Sequence, residues 1–223
     1  MHVGARVQEI SARTPGGGFE VRTADGPIDA DAVVLAVQSQ RAGGLLPAGA
    51  LADPTAPERL GASSILNLHV HYDRRVLDAP FVAAIDSPVS WIFDRTASAR
   101  ATDGQVLALS LSAADEIEHL DVDALRDRFL PALTELLPAA REAQVQRFLV
   151  HREHHATFRA APGARALRPG PSTALSGFVL AGAWTDTGWP ATMEGAVRSG
   201  TAAARALLPE LTGPTVREGV AAA

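Results

Sequence analysis

Cysteine and lysine are both missing from this 223-residue chain, so every fixed positive side chain is an arginine. Without cysteine there is no disulfide, no thiol nucleophile and no thiolate metal site, which fits a reducing compartment. No apolar run approaches the ~20 residues that a membrane-spanning helix requires, and no signal-peptide pattern opens the chain. The expectation is a soluble, cytoplasmic protein. A basic block is lacking too. The net charge is −5 and the pI about 5.8, with no stripe of arginines and aromatics, so nucleic acid is not an expected partner. Nor is there a GxSxG elbow; serines, histidines and aspartates are scattered, and no nucleophile, base and acid assemble from them. Catalytic side chains stay unassigned.

What is present reads as strands first. Arg6 to Ile10 alternate apolar and polar, Pro15 to Gly18 turn, and Phe19 to Thr23 alternate again. Asp25-Gly26 is a hairpin signal, Ile28 resumes an extended segment, and Ala32 to Val37 form an apolar run fit for a buried strand. Gly16-Gly17-Gly18 lies between extended segments and opens no helix, so it is a turn and not a phosphate loop. A connection from Gln38 to Pro57 holds a short helix near Arg41 to Leu46.

Further along, Ile65 to Tyr72, Phe81 to Ile85, Val89 to Phe93 and Val106 to Ser112 are spaced like an antiparallel sheet. Tyr72, Phe81, Trp91 and Phe93 fit either the walls of an apolar tunnel or an ordinary core. Asp121 to Leu137 predicts an amphipathic helix capped by Asp121 or Asp123, with Pro131 expected to kink or split it. Val145 to Val150 predicts another strand, running into HREHHATF. If that segment is extended, His151 and His155 share a face ~13 Å apart, too far for one ion, and no metal is expected.

The chain is organised around a stretch near its C-terminus, GFVLAGAWTDTGWPATMEGAVRSGTAAARALL, from Gly177 to Leu208. Phe178 to Ala181 predict a buried parallel strand, and Gly182 offers a place where a backbone approaches a ligand closely. A turn-rich link through Thr185, Asp186, Thr187, Gly188 and Pro190 leads to a helix from about Ala191. Gly195, Ser199, Ala202 and Ala203 share one helical stripe, and Ala196, Gly200 and Ala204 another. Close packing explains both stripes without a ligand, while a helix N-terminus over a strand end also suits electron-rich oxygens.

Leu180 to Gly200 carry a resemblance. The run is similar to the signature of FAD-dependent enzymes of the phytoene desaturase and amine oxidase type, and within it to the squalene-associated branch, the hydroxysqualene dehydroxylases. The resemblance implies an α/β (α+β) fold: part of an FAD-binding Rossmann-like domain with an inserted antiparallel-sheet substrate domain. Residues 1–45 and 161–211 would belong to the FAD-binding part, 46–160 to the substrate domain, and 212–223 to a tail. It assigns FAD to Gly182, Ala183, Trp184, Asp186, Gly188, Trp189, Pro190, Ala191, Thr192, Met193 and Glu194, and substrate to Tyr72, Trp91 and Phe93. The family commonly has an acid where this chain has Ala183, and Asp186 is the candidate to stand in.

No GxGxxG turn is found, so the resemblance implies about the C-terminal half of such a protein and a separate N-terminal FAD-domain half as partner. The implied reaction is reductive dehydroxylation of hydroxysqualene to squalene, with a hydrophobic isoprenoid substrate and peripheral contact with the inner membrane face. A carotenoid desaturase, an amine-oxidase-like relative and a non-catalytic remnant are the other readings.

Overall fold

A computed structural model describes residues 2–13 and 17–212; Gly16 of the glycine turn and nearly all of the expected tail lie outside the described residues. The chain divides into two compact units, one made of Met1–Ala62 with Thr157–Ala223 and the other of Ser63–Ala156.

The first unit opens with an antiparallel meander of β1 (Val7–Ala12), β2 (Phe19–Thr23) and β3 (Gly26–Ala30), in that order. Its second turn is the Asp25-Gly26 hairpin, where Gly26 has φ of +120° and the Thr23 hydroxyl donates to the Gly26 carbonyl at 2.9 Å. Strand β4 (Val33–Leu35) then pairs in parallel with β10 (Phe178–Leu180), Val33 opposite Phe178 and Leu35 opposite Leu180. Ile10, Phe19, Leu35, Leu60, Phe158 and Phe178 share one core, in which the Phe19 and Phe178 rings lie 5.5 Å apart.

Residues 46–62, grouped on sequence with the middle segment, fall in this first unit because Ala50 and Leu60 are buried in that same core. The connection after β4 holds two short α-helices, α1 (Ser39–Ala42) and α2 (Ala56–Arg59), and a 3-10 turn at Gly43–Leu45. The long helix α4 (Met193–Thr212) follows β10 and lays Ala203 and Leu207 against Val179 and Ala181. Its second stripe faces outward: Ala196, Gly200 and Ala204 are exposed, as are Val197 and Leu208. Among the described residues β4 and β10 form a two-stranded sheet, and Val34 on β4 is 45% exposed.

The second unit is a five-stranded sheet in the order β6-β7-β8-β5-β9. Its strands are β5 (Ser63–Tyr72), β6 (Phe81–Ala83), β7 (Trp91–Asp94), β8 (Gln105–Ser112) and β9 (Val145–Thr157). Alternation decides the two faces. On β5 every second residue from Ser64 to Tyr72 is buried, and Leu66, Leu68, Val70 and Tyr72 join Leu107, Leu109 and Ile92 under helix α3 (Val122–Leu136). Leu125, Phe129 and Leu133 are the face that α3 contributes, and the Asp121 carboxylate caps it by accepting from the Ala124 amide at 2.8 Å. Pro131 does not split α3. It sits on the exposed side, as does Asp127, whose carbonyl it leaves without the helical donor. Strand β9 runs seven residues past Val150, so the histidine segment is extended.

Candidate functional site

Within the first unit, the end of β10 is where main chain, glycine and helix converge. Gly182 follows the strand with φ of +135°, a conformation that favours glycine. The open space at Gly182 is filled from inside. A Cβ there would lie 2.5 Å from the Trp184 indole nitrogen, so the close approach is made by the chain's own ring and not by a ligand. Trp184 is buried, and its Nε1–H donates to the Val37 carbonyl at 2.7 Å. The Gly182 amide donates to the buried Ser199 hydroxyl at 2.7 Å, and that hydroxyl donates to the Ala196 carbonyl at 2.6 Å. Ser199 thereby ties α4 to the strand end, a role hidden on sequence in a stripe of small residues.

The link that follows is held by its own polar groups. Asp186 accepts from the Gly188 amide at 3.2 Å, and its other oxygen lies 3.8 Å from Arg165. Its carboxylate thus holds its own turn and lies within ion-pair reach of Arg165. Thr192 is likewise occupied: its hydroxyl accepts from the Gly195 amide at 3.1 Å, and its carbonyl from the Ala196 amide at 3.0 Å. That leaves the first-turn amides of Met193 and Glu194 for an acceptor outside the helix. Gly195 lacks a Cβ where one would collide with the Pro190 carbonyl. Glu194 is bound to Arg198 at 2.7 Å, and the Arg198 guanidinium stands 3.9 Å above the Trp189 ring.

Beneath this link lies Arg168, which no motif in the sequence singles out. It donates to the carbonyls of Ala183, Trp184, Thr185 and Trp189 at 2.6–3.2 Å. A depression of about 360 Å³ is lined by Phe158, Arg165, Arg168, Asp186, Trp189 and Pro190. The candidate residues from Gly182 to Glu194 are therefore one continuous feature. The Trp184 side chain is buried in the fold, while Asp186, Trp189, Glu194 and main-chain amides face outward.

The second unit separates the three residues first grouped as substrate-binding. Tyr72 is 2% exposed on the helix-covered face, and burial pushes its phenol up to about 12. Trp91 and Phe93 lie on the open face. Their rings stack 6.2 Å apart, and Phe81 lies 6.2 Å from Trp91 and 6.1 Å from Phe93. Phe93 is opposite Ala108 and Ala108 opposite His69, so an aromatic wall grades into histidine across adjacent strands. Burial, then the neighbouring His151 and Arg95, holds the His69 imidazole below its ordinary value. Among the described residues no three His, Asp or Glu side chains gather as a metal set. Nor is any described helix long and apolar enough to cross a membrane.

A strand end, a glycine and a capped helix N-terminus form a site suited to an electron-rich ligand group. The family model for the flavin-containing amine oxidoreductases matches residues 1–208. Two similar proteins are hydroxysqualene dehydroxylases, from Rhodopseudomonas palustris (35% identical, 90% of this chain) and Sinorhizobium fredii (34%, 81% of this chain). The chain spans only 45% and 39% of the length of these two relatives. A zeta-carotene desaturase from Synechocystis is 32% identical over 49% of this chain and 22% of its own. Among solved structures, cyclohexylamine oxidase from Brevibacterium oxydans has the same fold, with a TM-score of 0.68 at 18% identity over 93% of this chain and 49% of its own. The chain belongs to the flavin-containing amine oxidoreductases, a family of FAD-dependent oxidoreductases. FAD is the cofactor this membership brings, and the free Met193 and Glu194 amides above a rigid strand end fit it.

Proposed function

We propose that this chain is part of an FAD-dependent enzyme that removes the hydroxyl of hydroxysqualene reductively to give squalene. The observation that carries the choice of reaction is the spread of identity. Identity to the two dehydroxylases is 34% and 35% over 81% and 90% of the chain, whereas the carotenoid desaturases match either as widely at lower identity, 27% over 81%, or at 32% over only 49%. Bound FAD supplies the hydride chemistry, which accounts for a chain without a nucleophile–base–acid set.

The chain's own residues do the rest. The Met193 and Glu194 amides and the positive end of α4 would hold an electron-rich group of the flavin, with Trp189 and Pro190 beside them. The Phe81, Trp91 and Phe93 wall gives an isoprenoid chain an apolar surface to lie against. A hydrocarbon of that length is drawn from a bilayer, so we further propose peripheral membrane contact through an apolar rim. The side of β4 that pairs with no strand among the described residues, and the exposed Val34, support a separate or upstream dinucleotide-binding half as the partner that completes the parallel sheet.

The test supplies the completed protein with reduced flavin, anaerobic buffer and detergent-dispersed hydroxysqualene, and in parallel with phytoene and an electron acceptor. Squalene from the first mixture is the expected outcome. Conjugated polyenes from the second alone would assign the protein to desaturation instead.

A further inference from the structure

Arg168 stands just before β10, in a stretch rich in proline and alanine that carries no obvious chemistry. The structure places its guanidinium under the link between β10 and α4. Its Nε donates to the Trp184 carbonyl at 3.2 Å. One terminal nitrogen divides its protons among the carbonyls of Ala183 at 3.2 Å, Thr185 at 2.6 Å and Trp189 at 2.9 Å. The group also lies over the Phe158 ring at 5.1 Å, so an aromatic ring packs on a fork whose edge the carbonyls take.

Four main-chain oxygens drawn to one cation fix the path of the chain from Ala183 to Trp189. A peptide unit is planar and sets its N–H opposite its C=O. Turning the Ala183 carbonyl toward Arg168 therefore turns the Trp184 amide away from it. Trp189, the last of the four, leads through Pro190 to Thr192, whose hydroxyl and carbonyl cap α4. The carbonyl clamp and the helix cap are thus consecutive along the chain. On the outer side, Arg198 holds the Trp189 ring at 3.9 Å. A planar fork reaches several acceptors at once, which the point charge of a lysine does not.

We infer that Arg168 is the positioning residue of the cofactor loop. By gathering these carbonyls it presents the Met193 and Glu194 amides and the Trp189 ring as a preformed face for the flavin. This rests on the flavin reading given above. In a family that commonly has an acid after the strand-end glycine, this chain has Ala183. Its site relies on main-chain amides held in place by a cation from below.

The experiment uses the full 223-residue chain, as wild type, R168M and R168K. Amide hydrogen exchange is followed at residues 183–195, with and without FAD in excess. In R168M, exchange at 183–189 should accelerate roughly tenfold, while the amides of β5 and β8 keep their wild-type rates. FAD should slow exchange at Met193 and Glu194 in the wild type and lose that effect in R168M. R168K should recover only a part of both. Wild-type exchange in R168M would overturn the clamp, and full recovery in R168K would overturn the fork. FAD protection that survives in R168M would show that the clamp does not position the cofactor face. An accelerated R168M loop together with no FAD protection even in the wild type would count against flavin binding by this chain, and would reduce Arg168 to a structural tie.

Discussion

At the scale of the residue, an apparent ligand position and a packed interior exchange places. Gly182 was legible as a position that excludes a side chain, since the strand, the glycine and the following turn are all visible in sequence. What excludes the side chain was not legible, because the Trp184 indole reaches Gly182 only after its nitrogen finds the Val37 carbonyl, across a separation of 147 residues. Tyr72 shows the same limit in reverse. Its place on the buried face follows from the alternation along β5, yet neither partner face is marked in sequence as core or cavity. Tyr72 is also the chain's one tyrosine, so its titration is directly readable. Burial raises its phenol from 10.0 to about 12, so the folded chain keeps the proton while the unfolded chain releases it. That contribution is complete below pH 10 and is lost as pH rises toward 12, roughly 2–3 kcal/mol in all. Phenolate absorbance should therefore rise with a midpoint well above that of the urea-unfolded chain. The substitution Y72F should remove the alkaline loss of stability; a midpoint near 10 in the folded chain would contradict the burial argument.

At the scale of the element, α4 is the sharpest case. Sequence periodicity correctly gives a helix of small residues, and it presents two stripes with equal claims to the core. The structure chooses Gly195, Ser199 and Ala203 for the interior and leaves Ala196, Gly200 and Ala204 outside. Burial on one side depends on the register of β10, which the helix's own sequence does not encode. The two helical glycines therefore differ in kind. A Cβ at Gly195 would strike the Pro190 carbonyl, whereas one at Gly200 meets nothing within 4 Å. Replacing Gly195 with alanine should cost about 1–3 kcal/mol, because backbone on both sides must shift to admit the methyl group. Replacing Gly200 with alanine should stabilise the chain by roughly 0.5–1 kcal/mol, since an exposed helix interior prefers alanine. Urea denaturation of both variants checks the pair, and equal shifts would refute the assignment of the faces. Pro131 teaches a related point: its cost depends on whether the freed carbonyl faces water, and the helix pattern alone places it on that side only once Leu125, Phe129 and Leu133 are known to be core.

At the scale of the molecule, strands, hairpin and the inserted antiparallel sheet were readable because alternation and turn residues are local signals. The limits of the two units were not, since Ala50 and Leu60 join a core completed by Phe158 and Phe178 more than ninety residues later. The second unit, by contrast, is one unbroken segment, Ser63–Ala156. Its chain enters on β5 and leaves on β9, which are neighbours in the sheet. The end of β5 meets the start of β9 where the Asp73 amide donates to the Gln144 carbonyl at 3.0 Å and the Gln144 amide donates to the Asp73 carboxylate at 2.9 Å. The two strands thus run in opposite directions, and the segment begins and finishes at the same end of its sheet. Its core of sheet residues and α3 is drawn wholly from within 63–156. Gln105 adds a buried polar tie, accepting from the Val76 and Leu77 amides and donating to the Asp94 carboxylate at 2.9 Å. A segment with its own core and adjacent ends needs no other part of the chain to close its fold. Expressed alone, residues 63–156 should unfold in urea as one cooperative transition, with the fluorescence of Trp91 and far-ultraviolet circular dichroism changing together. Its open aromatic face should at the same time bind a hydrophobic dye, because Phe81 and Trp91 are exposed. The substitution Q105L, which removes the amide that the two main-chain donors share, should lower the midpoint by about 1–3 kcal/mol of stability. A broad, probe-dependent melt of the wild-type segment would mean that the sheet is held together by residues outside it.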